Sequence, residues 1–138
     1  MATTAGASAA LPVRKGEKPW TEAELKKVRQ QLQSDIDGLT ADINEAESAI
    51  AERLSDAVGD AGDDTADAGA KTFQREHELA LTQNARELLA ASARALARID
   101  DGTFGVCESC GQPIGKARLQ AFPRATLCVT CKQREERR

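Results

Sequence analysis

The residues in this sequence best suited to chemistry are its four cysteines, which form two matched pairs. One pair reads CESC at residues 107–110, the other reads CVTC at 128–131, and 17 residues separate them. This spacing is typical of zinc sites in which each pair holds one edge of a tetrahedron of thiolates. Zinc suits such ligands because it is a borderline-soft ion. The sequence therefore predicts one zinc ion bound by Cys107, Cys110, Cys128 and Cys131.

The predicted zinc has a structural role rather than a catalytic one. Protein sulfur fills all four positions, so no position stays open for water or substrate. A redox pair or disulfides are the alternative. The first 18 residues do not resemble a secretory signal, and we therefore expect a reducing, cytoplasmic setting that favours metal binding. We expect no enzymatic activity, because no catalytic base lies near the cysteines in sequence.

The cysteine module has too few large apolar residues to fold by packing alone. Such small units normally need their metal. A Gly111 turn directly after the first pair would bring backbone N–H groups toward the sulfurs. The large apolar residues of the module are Phe104, Val106, Ile114, Leu119, Phe122 and Leu127.

Two long helices are predicted to position this module. Thr21 and Glu24 have the spacing of a capping box, and Trp20 with Leu25 has that of a hydrophobic staple. Apolar residues then recur every three or four positions, which predicts a helix with a narrow coiled-coil stripe. The stripe consists of Leu25, Val28, Leu32, Ile36, Leu39, Ile43, Ala46, Ile50, Leu54 and Ala57.

A second stripe predicts a return helix that ends at Asp101, where Gly102 can adopt the left-handed cap conformation. With a short turn between them, the two helices should form an antiparallel hairpin. We interpret His77 and Asn84 as seam residues rather than ligands. The stripe consists of Phe73, His77, Leu81, Asn84, Leu88, Ala91, Ala95 and Ile99.

The connection between the two helices concentrates negative charge. No Lys or Arg lies between Arg53 and Lys71. A helix cap and the helix dipole would explain two of the carboxylates there, Asp64 and Asp67, and leave the rest in excess. The aspartates of this tip are Asp56, Asp60, Asp63, Asp64 and Asp67.

Charge is distributed unevenly along the chain. Residues 20–99 carry 16 acidic and 9 basic residues, a balance of −7, whereas 100–138 carry 5 acidic and 7 basic, a balance of +2. Residues 1–19 add +2, which gives the total of −3. The acidic middle argues against a general nucleic-acid binder, which would normally present a basic face, and we expect no sequence-specific DNA binding. No apolar run is long enough to span a membrane.

These patterns predict a mainly α fold, a long antiparallel coiled-coil hairpin plus a small C-terminal four-cysteine zinc-finger module. We assign residues 1–19 to a disordered arm, 20–101 to the hairpin with its acidic tip near 56–69, and 102–138 to the zinc module and a C-terminal helix. We expect a monomer, because the hairpin satisfies its own seam.

The stretch FGVCESCGQPIGKARLQAFPRATLCVTCK at residues 104–132 resembles the signature of the DksA/TraR family of bacterial transcription regulators. The resemblance extends by layout over residues 20–138. It implies a protein that binds RNA polymerase, with the hairpin in the secondary channel and its tip near the catalytic magnesium. The tip motif of the family, Asp-x-x-Asp-x-Ala, falls on Asp64 and Asp67, with Gly69 at the alanine position.

The resemblance also bears on ppGpp, the stress nucleotide. Responsive members carry basic residues on the second helix and a Lys after the last cysteine. Here the helix positions correspond to Asn84 and Ala91, and only Lys132 matches. Because phosphate capture depends on such cations, we expect little or no response to ppGpp through that site.

Three other functions stay open at this point. A coiled-coil scaffold would use its tip as a mere turn, and an enzyme would use reactive thiolates without zinc. A zinc-ribbon adaptor would bind nucleic acid with strong salt dependence. The phosphate contacts of such an adaptor would be Arg118, Arg124, Lys132, Arg134, Arg137 and Arg138. Arg118, Arg124 and Lys132 could equally contact the polymerase.

Overall fold

A computed structural model describes residues 11–58 and 65–137, with side chains for 11–55 and 68–137. It contains α1 (Glu22–Val58), α2 (Thr65–Asp101), α3 (Lys116–Ala121) and α4 (Val129–Glu136). The predicted fold class, two long packed helices followed by a cysteine module, is confirmed. The chain divides into two compact units, residues 1–35 with 91–138, and residues 36–90.

Helix α1 begins with the predicted capping box. The Glu24 backbone N–H donates to Thr21 Oγ1 at 3.1 Å, and the Thr21 N–H donates to Glu24 Oε1 at 3.0 Å. These two reciprocal bonds satisfy N–H groups that lack partners inside the helix. Trp20 and Leu25, the predicted staple residues, are both buried in the same apolar cluster. The start of α1 is therefore fixed by polar bonds on one side and by packing on the other.

Helix α2 ends where the sequence predicts. Asp101 is its last residue, and Gly102 has a φ of 82°, a conformation that costs other residues steric strain. The backbone N–H groups of Thr103 and Phe104 both donate to the Arg98 carbonyl, at 3.0 and 3.2 Å. This cap turns the chain so that Phe104 enters the core of the first unit.

The core of the first unit joins both long helices to the cysteine module. Trp20 and Phe104 meet with ring centroids 5.9 Å apart and a tilt of 56°, an arrangement favoured by aromatic quadrupoles. Arg29 of α1 pairs with Asp100 of α2 at 2.6 Å, as expected for antiparallel helices. The apolar members with the least solvent exposure are Leu25, Leu32, Ile99, Phe104, Cys107, Ile114 and Leu119.

Residues 11–19 differ from the expected disordered arm. Leu11 is only 3% exposed, and Val13 packs against the same core. The physical reason is that the cysteine module presents apolar surface that its own few residues do not cover. Residues 1–10 of the predicted arm lie outside the described part of the chain.

The second unit, residues 36–90, buries less of its predicted seam. The pairs Arg53–Glu78 and Arg86–Glu47 link α1 and α2 and set an antiparallel register. Among its described residues only Ile43 and Thr82 are buried. In the second unit, a seam side chain is shielded from solvent only by the facing helix. In the first unit, the cysteine module packs against the seam as well. Predicted seam positions that are exposed here include Leu54, Phe73, His77, Leu81 and Asn84.

In the described ranges, neither long helix has a window apolar enough to cross a lipid bilayer. Both carry charged residues throughout their length.

Leu32→Ala and Leu81→Ala form a matched pair that tests this distribution of the core. Leu32 is fully buried, so its truncation leaves a cavity and should lower the free energy of unfolding by about 2–5 kcal/mol. Leu81 is 57% exposed, so the same truncation there should cost less than about 1 kcal/mol. Urea unfolding of the zinc-loaded chain measures both. Equal losses at the two positions would contradict the assigned core.

Candidate metal centre

The four cysteines come together as a single cluster. Their sulfur atoms all lie within 4.8 Å of one another. The Cys110 and Cys128 sulfurs are 3.8 Å apart, which matches the edge of about 3.8 Å of a tetrahedron with zinc–sulfur bonds of about 2.3 Å. Cys110 is exposed and the other three are buried. The cluster thus has the dimensions of a tetrahedral thiolate site.

The first cysteine pair lies on a turn held by backbone bonds. The Cys107 N–H donates to the Gln112 carbonyl at 2.9 Å, and the Gly111 N–H donates to the Cys107 carbonyl at 3.0 Å. Gly111 has a φ of 75°. The predicted glycine turn is confirmed, and it places both sulfurs of the pair on the same side of the loop.

The second pair uses the start of a helix. Cys128 is the N-cap residue of α4, and its sulfur accepts the Cys131 N–H at 3.5 Å. The Cys107 sulfur accepts the Cys128 N–H at 3.4 Å. Such N–H donors stabilise negative sulfur and orient it toward a metal.

Hydrogen bonds shift the pKa values of two of the four thiols in opposite directions. Burial raises the pKa of Cys107, but backbone N–H groups of Cys110, Cys128 and Ser109 lower that pKa by more, so the net direction is down. The hydrogen bond with the Cys128 sulfur raises the pKa of Cys131. Four thiolates at this distance repel one another, and a divalent cation relieves the repulsion. The donor set therefore fits one structural zinc ion, bound by all four cysteines.

Charged side chains attach the metal module to the two long helices of its unit. Lys116 donates to Glu24 Oε1 at 2.8 Å, and Arg98 of α2 pairs with Glu108 between the first two ligands. The Lys116 side chain is 14% exposed. Its bond with Glu24, together with bonds from Thr21, lowers the pKa of Glu24 to about 2. The carboxylate of the capping box thus also holds the module.

Glu17 is a supporting residue that the sequence analysis missed. Its carboxylate accepts the backbone N–H groups of Lys116 at 3.0 Å, Ala117 at 3.1 Å and Arg14 at 2.8 Å. Burial would raise the pKa of Glu17, yet these donors lower it overall. The local pattern RKGEKPW does not reveal this role, because two of the three donors, Lys116 and Ala117, lie 99 and 100 residues away.

The predicted basic contacts are mostly engaged within the protein. Arg118 donates to the Leu127 carbonyl at 3.3 Å and lies over the Phe122 ring at 5.8 Å from its centroid. Arg124 lies 3.5 Å from Ser92 Oγ and 3.9 Å from Asp35. Lys132 is exposed and pairs loosely with Glu136 at 4.0 Å. Of these three predicted contacts, Lys132 is the most available to an external anion.

The predicted tip residues are only partly within the described structure. Asp64 lies outside the described residues, and Asp67 lies in the first turn of α2, with its side chain outside them. Gly69 is helical, and a Cβ added there would meet nothing within 4 Å. The structure therefore leaves the roles of Asp64 and Asp67 as predictions.

Comparison with known proteins agrees with this architecture. Residues 102–137 match the family model for the prokaryotic dksA/traR C4-type zinc finger. The RNA polymerase-binding transcription factor DksA of Escherichia coli K12 is 30% identical over 117 residues, covering 85% of this chain and 74% of that protein. The matched regions include the long helices as well as the cysteines.

Two further relatives define the extent of the similarity. The same-named factor of Caulobacter vibrioides is 43% identical over 75 residues, so the match spans 54% of this chain and about half, 53%, of that protein. The structure of the transcription factor DksA2 from Pseudomonas aeruginosa superposes with a TM-score of 0.67 and 31% identity, covering 84% of this chain and 85% of the other.

Replacing a ligand should uncouple the module from its metal. We expect Cys128→Ser to bind less than one zinc per chain and to lose the cooperative unfolding of the first unit, because a module of this size depends on its ion. Thr130→Ala, between two ligands but exposed, should keep both properties. Zinc content by atomic absorption and thermal unfolding by circular dichroism measure the outcome. A Cys128→Ser chain with full zinc content would contradict the site.

Proposed function

Because this chain belongs to the DksA/TraR family, we propose that it regulates transcription by binding RNA polymerase. The strongest support for this proposal is that similarity to the Escherichia coli factor extends over 117 residues and so includes both long helices. If the similarity were limited to the zinc finger, it would indicate only that the two proteins have the same kind of metal site. The factor of Caulobacter vibrioides is named for the same partner.

We further propose that the hairpin enters the secondary channel of the polymerase. Helices α1 and α2 have 37 residues each, so each is about 55 Å long at 1.5 Å per residue. A helix of that length can carry the segment between α1 and α2 to a buried catalytic centre. The zinc module would brace the base, where its ion pairs hold both helices.

The acidic connection is the part that we propose acts near the catalytic magnesium. Carboxylates there could compete for the metal, recruit a second ion, or shift nearby catalytic groups by their charge. Asp64 and Asp67 are the aspartates that the family resemblance selects. Gly69 departs from the alanine of that motif, and glycine inside a helix costs about 0.5–1 kcal/mol relative to alanine.

The alternative functions have weaker support. A nucleic-acid adaptor would need free cations, yet Arg118 and Arg124 have partners within the protein. An enzyme would need reactive thiolates without zinc, and the four sulfurs form a cluster that fits the ion. We propose a cytoplasmic, monomeric regulator without catalytic activity of its own and without sequence-specific contacts to DNA.

A charge-matched pair of variants tests the tip. The double variant Asp64→Asn/Asp67→Asn should bind core RNA polymerase with unchanged affinity but lose most of the effect on transcription, because amides keep the shape and remove the charge. The control Glu45→Gln/Glu87→Gln removes two exposed charges from the helix shafts and should keep the effect. Binding and transcription are measured on the same samples.

Two results would contradict different parts of this proposal. If neither the wild type nor any variant binds polymerase, the proposal of RNA polymerase as the partner is wrong. If all bind and the tip variant retains full activity, the partner is right and the tip is a structural turn.

The variant Gly69→Ala, which meets no steric obstacle, should increase helicity near the tip.

The ppGpp response is a separate prediction. We expect micromolar ppGpp to leave the transcriptional effect of this chain unchanged. At the site that responsive family members use, Asn84 and Ala91 supply no positive charge. Titration of ppGpp against the polymerase complex, with wild type beside Lys132→Ala, measures this. A micromolar response that Lys132→Ala abolishes would show the prediction to be wrong.

A further inference from the structure

A cleft beside the metal centre has lining residues that the proposed function does not use. Its volume is about 580 Å³, and it lies between residues 13–15 and helix α4. Volumes of about 300–1,000 Å³ are usual for sites that hold small ligands. Besides three of the zinc ligands, its polar lining consists of Arg14, Lys15, Gln112, Thr130 and Arg134.

Three cationic residues line this cleft, Arg14 and Lys15 of the N-terminal segment and Arg134 of helix α4. The ion pairs of the described residues involve neither Lys15 nor Arg134. Arg14 packs its side chain against Gly115 and contributes to the lowered pKa of Glu17. No carboxylate occurs among the described side chains that line the cleft. The cleft therefore holds positive charge that has few internal partners.

The neighbouring metal centre offsets only part of this charge. A zinc ion with four thiolates carries −2, whereas the three cations carry +3. Backbone N–H groups already bond to the sulfurs of Cys107 and Cys128. Arg14, Lys15 and Arg134 are exposed and have long side chains, so their charged ends can turn from the sulfurs toward solvent.

We propose that this cleft binds a small phosphate-bearing anion, held between the N-terminal segment and helix α4. Guanidinium groups bind pairs of phosphate oxygens through parallel N–H donors, and an ammonium group adds a point charge. The Thr130 hydroxyl and the Gln112 amide supply neutral donors for the remaining oxygens. Lys132, the position that the family resemblance links to phosphate, does not line this cleft.

The test uses the zinc-loaded full chain and inorganic phosphate as the probe, at constant ionic strength. In an NMR titration, we expect saturable shifts of backbone amides in residues 13–15 and 130–134, with a Kd on the order of 1 mM. The double variant Arg14→Gln/Arg134→Gln should weaken this binding at least about tenfold, since it removes both guanidinium groups. The control Arg75→Gln/Arg94→Gln removes two guanidinium groups from exposed positions of α2 and should bind as the wild type does.

Zinc content and zinc transfer to a chelator are measured on the same samples. Shifts that do not saturate, or that are unchanged in Arg14→Gln/Arg134→Gln, would overturn the proposal. It would also fail if the double variant only accelerates zinc transfer, because the cations would then serve the thiolates alone. Should that variant bind less than one zinc per chain, Lys15→Gln and Arg134→Gln are titrated singly, and each is expected to weaken phosphate binding.

Discussion

The mutual repulsion of four clustered cysteine sulfurs, three of them on buried residues, is the constraint on which the rest of this structure depends. Thiolates within 4.8 Å of one another are stable together only around a cation. With the ion in place, the CESC turn and the start of α4 have fixed positions, and Phe104, Ile114 and Leu119 gain a common core with the two long helices. Without it, this core would have to close around a module of fewer than 40 residues, a size at which packing alone seldom suffices.

The metal module is also where acidic and basic groups from distant parts of the chain meet. Glu24 and Glu17 project carboxylates to Lys116 and to the backbone of α3, while Arg98 holds Glu108 beside the ligands. In each case a residue outside the module binds a residue within it. The first unit is thus a junction in which metal binding, helix capping and ion pairing act on the same few residues. The described residues of the second unit form no such junction, and the seam there is more exposed.

Local patterns predicted the parts of this molecule whose causes are local. The spacing of the cysteines predicted the clustered ligand set. Thr21 and Glu24 predicted the start of α1, and Gly102 predicted the end of α2. Each of these features depends on neighbours within a few positions. Long-range contacts left no such signal. Leu11 and Glu17 were assigned to an arm because their partners lie in the module at the other end of the sequence. The exposure of Leu54 and Phe73 was missed for a related reason, since periodicity identifies a face but not what covers it.

The capping of α3 by Glu17 has a consequence for how the chain is made. Its carboxylate and the Lys116 N–H that it accepts are 99 residues apart, so most of the polypeptide must leave the ribosome before this bond can form. At about 5–20 residues per second, the N-terminal segment waits for several seconds without its partner. Leu11 and Trp20 stay accessible to chaperones and proteases during that interval. A chain that ends early, or that lacks zinc when the last cysteine emerges, keeps this apolar segment uncovered, so cellular quality control can distinguish it from a finished molecule.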